Sequence, residues 1–67
     1  MDELELAVEY PLGTALKFRR TDRNALGSGI VNGAPLISRK ESYVPIYVDG
    51  TGEIIYVNTR NIIAEDA

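Results

Sequence analysis

Residues 42–58 constrain the fold more than any other part of this chain, because their side chains alternate like those of a β-hairpin. Aliphatic β-branched residues occupy every second position of the first arm, and residues 49–52 (DGTG) follow as a turn whose glycines can take a positive φ. The second arm alternates again, with Ile55 and Val57 on one face. A period of two predicts strands with one buried face, so we expect a hairpin whose aliphatic face belongs to the core.

The opposite face of this hairpin carries three of the four tyrosines in the chain. Tyrosine is a good interface anchor because its ring offers apolar area and its hydroxyl offers a hydrogen bond. The alternative interpretation is that these rings only cover the domain. Pro45 cannot donate to a ladder, so we expect an edge or a bulge at this position of the first strand. The candidate protein interface, called the tyrosine face below, comprises Tyr43, Tyr47, Ile54 and Tyr56.

Shorter segments on either side extend the all-β pattern. Residues 14–20 (TALKFRR) alternate with a basic outer face, and residues 26–31 (LGSGIV) form a short strand whose glycines suggest a bulge or strong bending. Residues 36–38 can extend a strand, residues 59–61 predict one turn of 3-10 helix, and residues 62–64 predict a last strand. We therefore expect an all-β domain of five to six short antiparallel strands, closed as a small barrel.

The N-terminal residues 3–10 predict an extra strand, because apolar residues alternate with acids and alanine from Leu4 to Tyr10. A helix is the alternative, since Glu, Leu and Ala favour helices. Helical spacing from Leu4 reaches only Ala7 and Val8, which favours the strand. Such a strand can pair with an edge of the barrel or with a second copy of the chain.

The length of 67 residues allows one small domain and no second core. The chain has neither Cys nor His, so it can build neither a disulfide framework nor the usual zinc ligand sets. Self-association is then the remaining support for so small a core. No apolar run is long enough to span a membrane and no basic leader precedes one, so we expect a cytoplasmic protein without a membrane partner.

The charge is unevenly distributed. The net charge is −3, but six of the acids lie in residues 2–9 and in the acidic tail at 65–67, whereas residues 10–64 carry seven bases and four acids. The plain interpretation is a set of solvated faces with solubilising ends. The sharper one is a basic patch that binds phosphate or an acidic partner, although a net negative chain is unlike the usual nucleic-acid-binding domain. The candidate contacts are Lys17, Arg19, Arg20, Arg23, Arg39 and Lys40.

The layout resembles the SH3-like barrels, including the KOW-type modules. Residues 13–18 (GTALKF) stand as the first barrel strand and residues 26–31 as the second, and the 43–58 hairpin follows. Residues 59–63 (TRNII) then form a short turn before the closing strand. The resemblance covers roughly residues 12–64 and is one of pattern, without a specific motif.

The resemblance implies a domain that works by binding. SH3 domains bind extended proline-rich peptides on an aromatic surface, but the early aromatic pair and the acidic loop that they use are not visible in this chain. KOW modules often bind RNA or DNA, so nucleic-acid binding through the basic residues is the alternative function.

Catalysis is not expected, because a nucleophile–base pair is hard to build without His or Cys. Residues 53–56 (EIIY) are faintly similar to the pore-lining strand of the type II dihydrofolate reductases, which are SH3-like tetramers. Those enzymes have Gln where Ile54 stands, so an oligomeric enzyme of this kind is a remote alternative. The sequence thus predicts a non-catalytic module without cofactor or metal, whose partner is another protein or a second copy. A compact domain of this type would suit an accessory protein of a phage, a plasmid or a bacterium.

Overall fold

A computed structural model describes residues 2–65 as a curled, half-barrel sheet of six antiparallel strands, preceded by one short helix. The prediction of an all-β fold is therefore confirmed, as is the 3-10 helix at Thr59–Asn61 before the last strand. The helix α1 spans Glu3–Glu9. The strands are β1 (Ala15–Arg20), β2 (Ala25–Val31), β3 (Leu36–Ser38), β4 (Glu41–Val48), β5 (Ile54–Asn58) and β6 (Ile62–Glu65).

β4 is the longest strand and organises the sheet. Along one edge it pairs with β2 through residues 46–48 and with β3 through residues 41–43, and along the other edge it pairs with β5 through residues 43–47. β1 pairs with β2 and with β6. The path through the curled sheet therefore runs β5, β4, β2, β1, β6, with β3 beside the start of β4.

The core lies inside the curl and follows the predicted alternation. In β1, Leu16 and Phe18 are buried while Lys17 and Arg19 are exposed, and the aliphatic face of β4 is buried in the same way. Full burial of each such side chain stabilises the fold by about 1.5–3 kcal/mol. The buried cluster comprises Leu16, Phe18, Val31, Val44, Ile46, Val48 and Val57.

Gly29 serves a close approach of two strands. The register of β1 with β2 is continuous through Gly27 and Gly29, so the glycines do not make the bulge that the sequence suggests. A Cβ atom at Gly29 would lie 2.2 Å from the carbonyl oxygen of Tyr47 and 2.7 Å from Cγ2 of Ile46. Only glycine lets β2 lie this close to β4.

Residues 3–9 form a helix, so the predicted N-terminal strand is wrong. Asp2 caps the helix, because its Oδ1 accepts the backbone N–H of Glu5 at 2.8 Å. Acids in the first turn also favour the N-terminal end of the helix dipole. No described strand pairs with this segment, and Glu3 instead accepts the N–H of Ile37 on β3 with its carboxylate, at 3.3 Å.

Pro45 lies where β4 has a strand partner on one side only, which agrees with the predicted local edge and not with a bulge. The register of β4 with β5 runs through Pro45 without a shift. The carbonyl of Pro45 faces the gap between the end of β2 and the start of β3, where it accepts the N–H of Asn32 at 2.9 Å. An N–H at this position would face the same gap, so no ladder hydrogen bond is lost.

The predicted acidic tail at residues 65–67 is only partly within the described chain. Glu65 is the last residue of β6 and is placed opposite Leu16 of β1. Residues 66 and 67 lie outside the described residues. The closing strand is therefore one residue longer than the pattern of residues 62–64 predicts.

Candidate functional site

The tyrosine face is the outer face of the β4–β5 hairpin, as the alternation predicts. Tyr47 lies directly opposite Ile54 on β5 and directly opposite Ile30 on β2, so the three side chains form one row across three strands. They are 43 %, 58 % and 42 % exposed, respectively. Ile30 was not among the predicted site residues, because only the register between β2 and β4 places it beside Tyr47.

The next two rows of this face are less open. Tyr56, opposite Pro45, is 57 % exposed, whereas Pro45 itself is buried. Tyr43, opposite Asn58, is half-buried. All four residues of the tyrosine face thus lie on one side of the hairpin, and three of them present most of the accessible apolar surface.

The backbone of β5 has a free edge beside this face. Tyr56 is paired with Pro45, whose backbone oxygen points away from β5, so the two form a non-hydrogen-bonded pair. The N–H and C=O of Tyr56 therefore point outward, along an edge of β5 that no other described strand occupies. A cleft of about 250 Å³ adjoins this edge, between β5 and the end of β1, and Arg19 and Tyr43 are among its lining residues.

Three polar side chains, called the clip below, are linked to one another at the end of the hairpin: Glu41, Asn58 and Arg60. Asn58 donates from Nδ2 to Glu41 Oε2 at 2.9 Å and accepts the backbone N–H of Arg60 at 3.0 Å, which caps the 3-10 helix. Arg60 also forms an ion pair with Glu41. The hydrogen bonds from Arg60 and Asn58 hold the pKa of the Glu41 carboxyl below its usual value. The clip joins β4, β5 and the 3-10 helix, so it fixes the row that contains Tyr43.

Arg20 differs from the other predicted phosphate contacts because its side chain is buried. Its guanidinium donates two hydrogen bonds to the carboxylate of Asp22, from Nη2 at 2.9 Å and from Nε at 3.2 Å. A third, from Nη1, goes to Glu53 at 3.3 Å. Arg23 also pairs with Glu53, at 3.5 Å. The hydrogen bonds from Arg20 lower the pKa of both carboxyls. Arg20 and Arg23 thus hold the β1–β2 loop against the β4–β5 turn.

Lys17 and Arg19 are the predicted cations that the structure brings together on an open surface. Both are exposed on the outer face of β1, and Arg19 lies opposite Leu26 of β2. Arg39 and Lys40 form the turn between β3 and β4, and β2 and β4 intervene in the sheet between that turn and β1. The six predicted contacts therefore form separate groups and not one patch.

Neither a family model, nor a curated protein, nor a solved structure matches this chain. Among the side chains of residues 2–64, no cluster of three or more His, Cys, Asp or Glu residues is placed to hold a metal ion. The helix of this region has seven residues, too few to cross a bilayer. The geometry of the surface is therefore the basis for the proposal that follows.

Proposed function

We propose that this protein is an SH3-like barrel that acts as a non-catalytic binding module, and that its tyrosine face binds a partner protein. The strand path β5, β4, β2, β1, β6 supports the barrel assignment, since β6, the last strand in the sequence, returns to pair with β1, the first. The 3-10 helix just before that last strand is in keeping with the same resemblance.

The observation that carries the proposal is the open apolar row of Ile30, Tyr47 and Ile54, continued by Tyr56. Contiguous apolar side chains on the surface of a small domain are typical of interaction sites, because water contact with them is unfavourable. Tyrosine adds a hydroxyl that can find a hydrogen bond in an interface. A partner that covers this row would bury the aromatic and aliphatic groups together.

The free edge of β5 supports an extended segment of the partner as the bound element. The outward N–H and C=O of Tyr56 can pair with such a segment as a strand added to the sheet. Alternate side chains of the added strand would then lie beside Ile54 and Tyr56 on the outer face. The proposal thus joins backbone pairing at the edge with side-chain contacts on the tyrosine face.

Nucleic-acid binding is a second candidate, supported by the exposed pair Lys17 and Arg19. Fewer cations could contact phosphate than the sequence suggests, because Arg20 and Arg23 form ion pairs with carboxylates. The resemblance to the type II dihydrofolate reductases has less support still, since the apolar Ile54 replaces the amide of those enzymes.

Affinity capture with three forms of the protein tests the proposal. A partner should bind the wild type and the control Leu12→Ala, whose exposed leucine lies outside the tyrosine face. The variant Tyr47→Ala plus Tyr56→Ala should bind that partner more than about tenfold more weakly, as expected for interface anchors. Circular dichroism should show that all three forms are folded.

Two results would contradict the proposal. The first is an identical set of captured proteins for the three forms. The second is loss of the fold in the double tyrosine variant, which would assign the rings a packing role. A purified pair, once obtained, permits the same comparison by titration calorimetry.

A further inference from the structure

Helix α1 carries apolar side chains on two opposite sides. Leu6 is buried, whereas Leu4 and Val8 are 75 % and 76 % exposed. Residues four apart lie on the same side of a helix and residues two apart lie nearly opposite, so Leu4 and Val8 form a stripe that faces away from Leu6. With Glu5 and Glu9 they line a surface hollow of about 430 Å³, called the helix hollow. This hollow is apolar with an acidic rim.

The sheet carries a second apolar hollow with the opposite charge. Leu26 and Ile63 are 72 % and 55 % exposed, and together with Lys17 they line a hollow of about 320 Å³, called the strand hollow. Arg19 lies opposite Leu26 and adds a second cation to this rim. Among the ion pairs of residues 2–64, none includes Lys17 or Arg19. Their charges are therefore available to a partner.

We propose that this chain associates with a second copy of itself, with the helix hollow of one copy covering the strand hollow of the other. The apolar stripe of the helix would contact Leu26 and Ile63 of the other copy. The carboxylates of Glu5 and Glu9 would pair with the side chains of Lys17 and Arg19. Burial of the apolar groups favours the contact, and the opposite charges set its orientation. The inference goes beyond the proposed function, because it concerns another surface and another partner.

The spacing of the charges supports this fit. Glu5 and Glu9 are four residues apart in a helix, which is about 6 Å along its axis. Lys17 and Arg19 are two residues apart in a strand, which is about 6.6 Å. A helix that lies along β1 can therefore pair two carboxylates with two cations at the same time.

The contact is between copies because α1 is held elsewhere within its own chain. Glu3 accepts the N–H of Ile37 on β3, and Leu6 and Tyr10 line a common surface hollow with Thr59 of the 3-10 helix. Tyr10 also packs against the core. Since each chain has both hollows, a twofold dimer makes the contact twice. A domain of this size gains the most from such added burial.

Sedimentation velocity on the pure protein gives the first test. We expect a dimer at low salt, with a dissociation constant that rises more than about tenfold between about 0.01 M and 1 M salt, where the Debye length falls from about 30 Å to about 3 Å. A wild type that stays monomeric at low salt up to about 1 mM protein overturns the proposal.

Two charge-reversal variants test the pairing itself. Glu5→Lys plus Glu9→Lys, and separately Lys17→Glu plus Arg19→Glu, each place like charges at the contact. Each variant alone should dimerise more than about tenfold more weakly than the wild type. An equimolar mixture should form a heterodimer about as tight as the wild-type dimer, because the basic helix hollow of one variant meets the acidic strand hollow of the other.

Two controls make the result specific. Arg39→Glu plus Lys40→Glu changes the net charge as much as the strand variant does but should leave the dimer intact. Tyr47→Ala plus Tyr56→Ala should leave it intact too, which separates this contact from the tyrosine face. Circular dichroism establishes that each variant is folded.

Two further outcomes overturn the proposal. One is a mixture of folded charge-reversal variants that does not associate. The other is a monomeric wild type that is retained on single-stranded DNA at low salt, while the Lys17→Glu plus Arg19→Glu variant is not. That result would assign the two cations to nucleic acid.

Discussion

The two faces of the β4–β5 hairpin are built from the same kinds of side chain but meet different surroundings. On the inner face, Ile46 and Val57 are 0 % and 5 % exposed, whereas on the outer face Ile54 and Tyr56 are 58 % and 57 % exposed. β-Branched and aromatic residues favour strands wherever they lie. The residue types of a strand therefore do not separate a face that stabilises the fold from a face that can bind, but burial does.

Matched truncations of two isoleucines should show the largest difference between the faces. Ile46→Ala leaves a cavity in the core, and we expect the free energy of unfolding to fall by about 2–5 kcal/mol. Ile54→Ala removes a side chain that is already more than half in water, so we expect a loss below about 1 kcal/mol. Urea denaturation of both variants measures the two values. Equal losses would mean that the outer face is packed like the core.

Gly29→Ala should have the next largest effect, and it probes how closely the hairpin is held to β2. The added Cβ would lie 2.2 Å from the carbonyl oxygen of Tyr47, so β2 and β4 must separate. We expect a loss of about 1–3 kcal/mol in the free energy of unfolding, typical of overpacking. Gly33→Ala serves as the control, because a Cβ atom there would lie 3.4 Å from its nearest neighbour, Cγ of Pro45. An unchanged melting temperature for Gly29→Ala would contradict the close approach.

A pH series should show a smaller effect and separates charge pairing from apolar burial at the turn end of the hairpin. The pKa values of Asp22 and Glu53 are lowered in the folded protein by hydrogen bonds from Arg20. Their stabilising contribution is therefore complete above the ordinary pKa values of 3.8 and 4.5 and is lost as the pH falls below them. We expect Glu53→Gln to reduce the fall in stability between about pH 5 and pH 3.

The control for the pH series is Leu12→Ala, whose side chain is exposed and carries no titratable group. Denaturation at each pH compares the two variants with the wild type. A pH dependence of Glu53→Gln identical to that of the wild type would mean that the pairing of Glu53 with Arg20 does not contribute to stability.

Local patterns were enough to predict most of the sheet. The alternation in residues 42–58 and the glycine-containing turn within them decide both the hairpin and its two faces. The 3-10 helix was also predictable, because Thr59–Asn61 interrupts two apolar strands with polar residues. These features depend on residues that are close together in the sequence, so they can be predicted from it.

The rest depends on partners that are distant in the sequence. The alternation of residues 3–10 favours a strand, whereas the structure has a helix at Glu3–Glu9 that is capped by Asp2. Arg20 falls on the same side of β1 as the buried Leu16 and Phe18, but its hydrogen bond to Glu53, 33 residues away, cannot be predicted from that alternation. Ile30 joins the tyrosine face only through the register of β2 with β4.

The hydrogen bond between Glu3 and the N–H of Ile37 has a consequence for solubility. An unpaired strand edge is a template for sheet growth from one molecule to the next, and natural proteins obstruct such edges with charges or with covering segments. α1 places both a carboxylate and a helix at the outer edge of β3. Removal of residues 2–9 should therefore promote strand-to-strand aggregation at this edge, which thioflavin T fluorescence and light scattering would detect.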